Sequence, residues 1–266
     1  MKVIKFYLVL VFGLISQVWA SDFTKLTVMG SIPNAKPMAM DGWRLGGGLG
    51  YAFYVGDQMD YTLTRHYGDF NELRTNLTLS AFHQLDELKE WGLVMKFGSF
   101  QTLKSSNMQG IQCNYQEIQS VWQRSLNDNI GLNGGPVTVN FQYGIGIMYY
   151  KSKYFAVNPN FKTEDYVISS VGYGYANRTD WKGAAFTDIA KKKLTFLGNL
   201  GLNIGFRMGR NMSLYYETSL QVSTSNKLSG NLSKTSAIPP DCYLYTGLSF
   251  YYRFGKAGGR LGCPKF

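Results

Sequence analysis

Apolar and polar residues alternate over an unusually long run near position 200. In the stretch KLTFLGNLGLNIGFRMG, residues 193–209, nearly every even position is apolar and nearly every odd position is small or polar. Because the side chains of an extended strand point alternately to opposite faces, this stretch predicts a strand with one apolar and one polar face. Strands of soluble sheets usually run to about five or six residues. The greater length of this run indicates a strand that crosses a membrane.

The same alternation recurs along the chain and predicts eight long strands. In chain order they cover residues 44–55, 75–86, 90–102, 115–125, 137–150, 193–207, 211–224 and 241–254. Beyond the N-terminus, no stretch is long and apolar enough for a transmembrane helix, so a membrane-inserted chain has to cross with strands. The predicted fold is therefore an all-β, antiparallel, up-and-down transmembrane barrel.

The spacing between the strands supports an even-numbered barrel. Long and short segments alternate along most of the chain. These connections are residues 56–74, 87–89, 103–114, 126–136, 151–192, 208–210 and 225–240. Outer-membrane barrels have short periplasmic turns and longer extracellular loops, so we expect the long loops outside the cell and both termini in the periplasm. Residues 164–175, EDYVISSVGYGY, would raise the count to ten with a partner strand, but we interpret them as part of a hairpin that rises above the membrane.

The start of the chain has the features of a secretory signal peptide. Two lysines precede an apolar run, and small side chains at Val18 and Ala20 offer a cleavage point before Ser21. The run is shorter than the roughly 20 apolar residues that a spanning helix needs. The expected segments are a signal peptide over 1–20, an N-terminal periplasmic segment over 21–43, the barrel over 44–254 and a periplasmic tail over 255–266.

Composition agrees with a membrane barrel. The chain has 30 Gly, 19 Tyr and 17 Phe but only 7 Pro, which suits long, closely packed strands with aromatic side chains at membrane interfaces. Its formal net charge is +10. In a secreted protein, the expected counter-charges are phosphates of outer-membrane lipid and lipopolysaccharide, and we expect no nucleic-acid partner.

The three cysteines predict neither a disulfide framework nor a metal site. Cys113, Cys242 and Cys263 are odd in number and show no C-x-x-C spacing. A bridge between Cys113 and Cys242, placed on surface loops, is the alternative. We expect no metal and no cofactor.

Several polar residues fall on the inward faces of the predicted strands. They are Arg44, Lys96, Gln142, Asn199, Arg207, Glu217 and Arg253. The interior of an eight-stranded barrel is only wide enough for side chains, and buried charges need partners. We therefore expect a plugged lumen in which Glu217 pairs with Arg207 or Arg253. A narrow ion path is the alternative.

The sequence contains few candidate catalytic residues. His66 and His83 are the only residues that titrate near neutral pH as candidate general bases. His66 lies in a long predicted loop without a suitably spaced serine, and His83 lies near the end of a weak strand. We expect a solvated loop residue and an interfacial residue, and no enzyme.

Two sets of residues resemble known outer-membrane barrels. Gly247, Phe250 and Tyr252 in the last strand resemble the terminal-strand signal that the barrel assembly machinery reads. The stretches YQEIQSVWQRSL, VTVNFQYGIGIMYY and LGNLGLNIGFRMGRNMSLYYETSLQVS together resemble the eight-stranded OmpA-like, PorT-like and PorG-like group over residues 44–254. Unlike many OmpA-like proteins, this chain has only GKAGGRLGCPKF after the last strand, so we expect no peptidoglycan-binding domain.

Taken together, these observations predict a non-enzymatic structural or interaction component of the bacterial envelope. The resemblance to PorT-like and PorG-like barrels implies an envelope protein partner in secretion or gliding machinery. One alternative is a small porin or a transporter of small or hydrophobic ligands. Another is a surface adhesin that binds through residues 151–192.

Overall fold

The computed structural model describes most of the predicted barrel. The described residues are 42–56, 74–104, 108–127, 136–158, 163–172, 189–190, 193–209, 211–230 and 240–254. Contacts divide the chain into Met1–Ala39 and Met40–Phe266, and every described residue belongs to the second unit. The predicted signal peptide, the predicted C-terminal tail, His66 and Cys263 lie outside the described residues.

Ten strands make up the described fold. They are β1 (Trp43–Val55), β2 (Thr75–Gln84), β3 (Lys89–Lys104), β4 (Gln109–Ser125), β5 (Val137–Asn158), β6 (Thr163–Val171), β7 (Ile189–Ala190), β8 (Lys193–Arg207), β9 (Met212–Ser223) and β10 (Cys242–Arg253). In the part of the chain that the structure describes, no helix is both long and apolar enough to cross a bilayer.

Eight of these strands close into an antiparallel barrel. The pairing order is β4-β3-β2-β1-β10-β9-β8-β5, and β4 also pairs with β5, which completes the ring. The first and last strands join along their whole length, from Arg44 opposite Arg253 to Val55 opposite Cys242. The predicted eight-stranded up-and-down barrel is confirmed.

The segment that suggested a ten-stranded barrel forms a hairpin with the end of β5, beyond the closed ring of strands. β5 pairs with β8 only as far as Tyr150, and its remaining part pairs with β6 from Ser152 to Asn158. Because β6 pairs with no barrel strand except the far end of β5, it adds nothing to the ring. The ten-stranded alternative is therefore wrong.

The connection between β3 and β4 is much shorter than predicted. Residues 103–114 were expected to form a long loop, but the two strands stay paired up to Lys104 opposite Gln109. The pattern of polarity inverts in this region: Phe100, Ile111 and Cys113 are fully buried, whereas Gln112 on the other face is partly exposed. A strand beyond the lipid meets water outside, so an apolar-outward pattern no longer marks it.

The outer wall carries a wide belt of exposed apolar side chains. Leu49 is 59% exposed, Ile145 66% and Phe196 65%. Soluble proteins rarely leave an apolar patch of this extent in water. The belt is therefore the lipid-facing surface of a transmembrane barrel.

Glycines on the inner face of β1 make room for tyrosine rings of β10. A Cβ atom added to Gly46 would lie 2.3 Å from Cδ1 of Tyr251, and one added to Gly50 would lie 2.6 Å from the hydroxyl oxygen of Tyr245. Both tyrosines are almost completely buried. A narrow barrel can hold large rings only where the neighbouring strand lacks side chains.

We expect Gly46→Ala to lower the free energy of unfolding by about 1–3 kcal/mol, because the added methyl overlaps the buried Tyr251 ring. The matched control is Gly47→Ala, whose Cβ points outward and meets Leu79 at an ordinary 3.6 Å. Urea unfolding of the barrel in detergent, followed by tryptophan fluorescence, measures both variants. Equal stability of the two variants would contradict this account of the Gly46 contact.

Candidate functional site: the filled barrel interior

The barrel has two distinct ends. The connections β1–β2, β3–β4, β5–β8 and β9–β10 lie at one end, here called the long-loop end, and the turns β2–β3, β4–β5 and β8–β9 lie at the short-turn end. Side chains fill the interior between them in three layers. We call these the aromatic layer at the long-loop end, the polar layer in the middle and the arginine layer at the short-turn end.

The aromatic layer is a packed apolar core inside the long-loop end. Its buried residues are Ala52, Tyr54, Phe100, Ile111, Cys113, Tyr115, Met148, Tyr150, Tyr154, Val171, Leu197, Leu228, Tyr243 and Tyr245. The Phe100 ring stacks on Tyr243 with centroids 5.4 Å apart and on Tyr54 at 5.9 Å. Such packing leaves the long-loop end closed to water in the described residues.

One member of the aromatic layer comes from a loop and not from a strand. Leu228, in the β9–β10 connection, is fully buried among the rings. Asp241 holds it there: one carboxylate oxygen accepts a hydrogen bond from the Leu228 amide at 2.8 Å, and the other accepts one from the Tyr54 hydroxyl at 2.8 Å. The described start of this connection, residues 225–230, thus folds back into the barrel mouth.

The polar layer is centred on a buried ion pair between β3 and β4. Lys96 Nζ lies 3.5 Å from Glu117 Oε1 and 4.3 Å from the centroid of the Tyr245 ring. Tyr243 donates its hydroxyl hydrogen to the other Glu117 oxygen, and Gln119 donates to Oε1 at 2.8 Å. The carboxylate and the ammonium group offset each other's burial, as a low-dielectric interior requires.

Amides extend the polar layer across the lumen. Asn199 donates to Gln119 at 2.7 Å, and Gln119 donates to Gln221 at 3.0 Å. Asn203 donates to Gln142 at 2.8 Å. The bonds of Gln119 join β4 to β8 and β9, which are not its neighbours in the ring, and the bond between Asn203 and Gln142 joins the neighbouring strands β8 and β5. The polar layer therefore cross-links part of the barrel wall from the inside.

The arginine layer surrounds the guanidinium group of Arg44 with three rings. The guanidinium carbon lies 4.3 Å from the Tyr251 centroid, 4.6 Å from that of Tyr215 and 5.0 Å from that of Phe82. Arg44 Nη2 also donates to Glu90 at 2.6 Å and to Gln123 at 3.0 Å. Cation–π contacts of a desolvated arginine add to its ion pair, and the cluster fills the lumen at this end.

Glu90 ties the first and last strands together. One of its oxygens binds Arg44 on β1, and the other binds Arg253 on β10 at 2.8 Å. Arg253 also donates to Gln84 at 2.7 Å. Arg44 and Arg253 lie directly opposite each other across the seam where the barrel closes. Without an acidic group between them, the two like charges would destabilise that pairing.

The structure brings five of the seven expected lumen residues inside. The five that are buried in the lumen are Arg44, Lys96, Gln142, Asn199 and Glu217. The other two expected residues lie at the short-turn end, where Arg253 is 28% exposed and Arg207 is exposed to solvent.

The expected pairing of Glu217 with Arg207 or Arg253 does not occur. Tyr251 donates to Glu217 Oε1 at 2.6 Å instead. The strand register explains the error: Glu217 lies opposite Asn203, whereas Arg207 lies opposite Ser213 near the start of β9. Arg253 is engaged by Glu90 at the seam.

The sequence patterns identify neither Glu90 nor the three aromatic rings around Arg44 as parts of the site. Glu90 has the same inward parity on β3 as Lys96, so the alternation itself contained the signal. Which arginine it binds depends on the barrel seam, because β1 and β10 are far apart in sequence. The cage rings of Phe82, Tyr215 and Tyr251 likewise come from three strands.

The residues of the expected assembly signal lie on both faces of β10. Phe250 and Tyr252 point outward and are exposed, and Gly247 packs inward against Gly50 and Tyr245. Their recognition by the barrel assembly machinery stays a prediction.

The expected alternative of a Cys113–Cys242 bridge is wrong. The two sulfurs form no disulfide. Cys113 lies on β4 facing the aromatic layer, not on a surface loop, and the partly exposed Cys242 donates to the Pro240 carbonyl at 3.4 Å. His83 packs against Trp43 with ring centroids 5.0 Å apart. Among the described residues, no cluster of potential metal ligands occurs.

No protein-family model and no curated protein matches the chain. Solved structures similar to it are outer-membrane proteins. Neisserial surface protein A is 8% identical with a TM-score of 0.39, covering 80% of this chain and 98% of that chain. A major outer membrane protein from Thermus thermophilus is 10% identical with a TM-score of 0.43, covering 80% and 99%. The outer membrane enzyme PagL is 10% identical with a TM-score of 0.32, covering 79% and 99%.

Similarities of this size assign no activity to the chain. The closed ring, the apolar belt and the polar middle of the lumen are features of the molecule itself, and they are those of a transmembrane barrel. The chain has the fold of an eight-stranded outer-membrane β-barrel.

We expect Glu90→Gln to lower the free energy of unfolding by about 2 kcal/mol, because an amide leaves both arginines at the seam without a carboxylate. Glu87→Gln is the control, since Glu87 is exposed in the β2–β3 turn, and we expect a change within about 0.5 kcal/mol. Urea unfolding in lipid vesicles measures both. If Glu90→Gln were as stable as the control, the seam would not depend on this ion pair.

Proposed function

We propose that this chain is a non-enzymatic structural or interaction component of the bacterial outer membrane, and not a channel. The observation that carries the proposal is the filled interior. An aromatic layer, a cross-linked polar layer and a caged arginine follow one another along the lumen. An eight-stranded barrel has just enough internal width for side chains, and in this barrel side chains fill that width.

A porin or transporter fits this interior poorly. Channels keep a continuous polar path, whereas both ends of this lumen are closed by packed aromatic rings. The buried Lys96 and Glu117 also neutralise each other. A transported ion would have to break that pair, which is costly in an interior of low dielectric constant.

The wall beyond the lipid belt offers a platform for a partner. β3, β4, β5 and β6 continue past the apolar belt as a paired sheet. This extension has its own small core of Leu103, Phe155, Val157 and Val167, with Met108 packed against it. A sheet with a core of its own presents a defined surface, which favours recognition of another molecule.

We further propose that the long-loop end is extracellular, with both termini in the periplasm. Lys151 and Lys153 lie on the outward face of β5 just beyond Tyr149 of the apolar belt. Phosphate groups of lipopolysaccharide would lie at this level, and they attract lysine side chains. The association with secretion or gliding machinery stays a prediction from the resemblance, and the absence of enzymatic activity stays a prediction as well.

We expect the purified barrel to pass no measurable current in a planar lipid bilayer, because the layers of the lumen leave no continuous water path. A known porin inserted in the same bilayer provides the positive control. Discrete current steps from the wild type that change in Lys96→Met would place an ion path in the lumen. That result would support the porin alternative.

We expect a protein partner to copurify at a fixed ratio when the tagged barrel is extracted from native outer membranes in mild detergent. Deleting residues 173–188 shortens the longest loop but leaves β5 and β6 intact. If the partner binds the segment that follows β6, this deletion lowers the yield of the partner while the barrel stays folded. Native mass spectrometry measures the ratio, and a barrel that always leaves the membrane alone would contradict the proposal.

A further inference from the structure

The described start of the β9–β10 connection forms a stopper in the long-loop mouth. The stopper comprises residues 225–230, sequence SNKLSG. Leu228 and Ser229 are fully buried, although they belong to a connection and not to a strand. Gly230 has φ of +72° and packs so closely on β5 that an added Cβ would lie 2.8 Å from the Lys153 carbonyl carbon.

Hydrogen bonds from surrounding residues hold the stopper in place. Tyr150 and Ser225 share one between their hydroxyl groups at 2.9 Å, and Ser152 donates to the Lys227 carbonyl at 3.1 Å. From β6, Ser169 donates to the Gly230 carbonyl at 2.7 Å. The Asp241 carboxylate receives the Leu228 amide hydrogen. The Ser229 amide also donates to Asp241, at 3.4 Å. These are separate hydrogen bonds that each involve a side chain, in contrast to the continuous backbone ladders of the barrel wall.

A single apolar side chain joins the stopper to the barrel interior. Leu228 is the only large apolar residue among 225–230, and it packs into the aromatic layer beside strand residues of the wall. Local openings of a protein favour segments with few buried apolar contacts. Opening of the stopper would break none of the pairings between the eight strands, whereas the arginine layer at the other end consists of strand residues.

We propose that the stopper is a displaceable lid, and that the space its Leu228 side chain occupies in the aromatic layer receives a small uncharged apolar ligand when the lid is out. The surrounding aromatic and aliphatic residues, with a few hydroxyl groups, have the composition of a small-molecule pocket. The buried Asp241 carboxylate at the rim disfavours an anion. A barrel that passes no ions can still bind such a ligand from the long-loop side.

Cys113 provides a reporter inside the aromatic layer. It is fully buried in the closed state and belongs to the same cluster as Leu228. Replacing Cys242 and Cys263 by serine leaves Cys113 as the sole cysteine of the full chain. Alkylation of Cys113 by N-ethylmaleimide, followed by mass spectrometry on the barrel in lipid vesicles, then measures how often the lid opens.

We expect slow alkylation of this parent protein and a rate about tenfold higher in Asp241→Asn, because the lid loses a charge-assisted hydrogen bond. Gly230→Val, which forces the lid away from the β5 backbone, should raise the rate similarly. Asp86→Asn is the matched control, since Asp86 also accepts two backbone amide hydrogens, from Leu88 and Lys89, but at the short-turn end. Heat-modifiability in electrophoresis establishes that each variant is folded.

Indole, a small uncharged aromatic molecule, serves as the probe for the proposed ligand site. We expect indole to slow the alkylation of Cys113 in Asp241→Asn and in the parent, and the indole-3-acetate anion to have no such effect. If folded Asp241→Asn and Gly230→Val were alkylated no faster than Asp86→Asn, the lid would not be displaceable. If indole left every alkylation rate unchanged, including that of the parent, the ligand site would be excluded. Both measurements are independent of whether the barrel conducts ions or binds a protein.

Discussion

The closure of the sheet between β1 and β10 is the constraint on which the rest of this structure depends. In lipid, every backbone amide and carbonyl needs a partner within the protein, and strands meet that need only in a closed ring. Two arginines, Arg44 and Arg253, face each other at the last step of that closure. Glu90 from β3 binds both, so a single carboxylate turns a repulsive pair into a stable seam.

A barrel of eight strands has a narrow interior, and that width limits which side chains can face inward. Glycines on β1 leave room for rings from β10, while in the polar layer Gln119 on β4 bonds to amides of β8 and β9, which are not its neighbours in the ring. Buried charged groups have partners, as in the pairs of Lys96 with Glu117 and of Arg44 with Glu90 and in the hydrogen bonds to Asp241, because each has left water. The interior therefore behaves as a core with polar and apolar layers, and its side chains stabilise the walls that surround them.

The local pattern was enough to predict the barrel but not the contacts inside it. Alternation with period two depends on neighbouring residues, so strand identity, inward parity and an even strand count could be read along the chain. Partner choice depends on register between strands that are distant in sequence, which is why Glu217 was assigned to the wrong arginines and Glu90 to none. The pattern predicts a loop for the residues from Gln109 to Asn114, which belong to β4, because the solvent around a strand, and not the strand itself, decides which face is apolar.

A filled lumen moves the search for function to the surface and to the mouths. The two ends are closed by different means: strand side chains cage Arg44 at the short-turn end, whereas a loop segment carrying Leu228 completes the aromatic layer at the other. Side chains fixed on paired strands can leave the lumen only if the wall itself opens, and in a closed barrel that breaks the ladder on both sides. The loop segment belongs to none of the ladders of the wall, so its opening breaks no strand pairing. Whatever this barrel recognises, the long-loop end is where its structure can change.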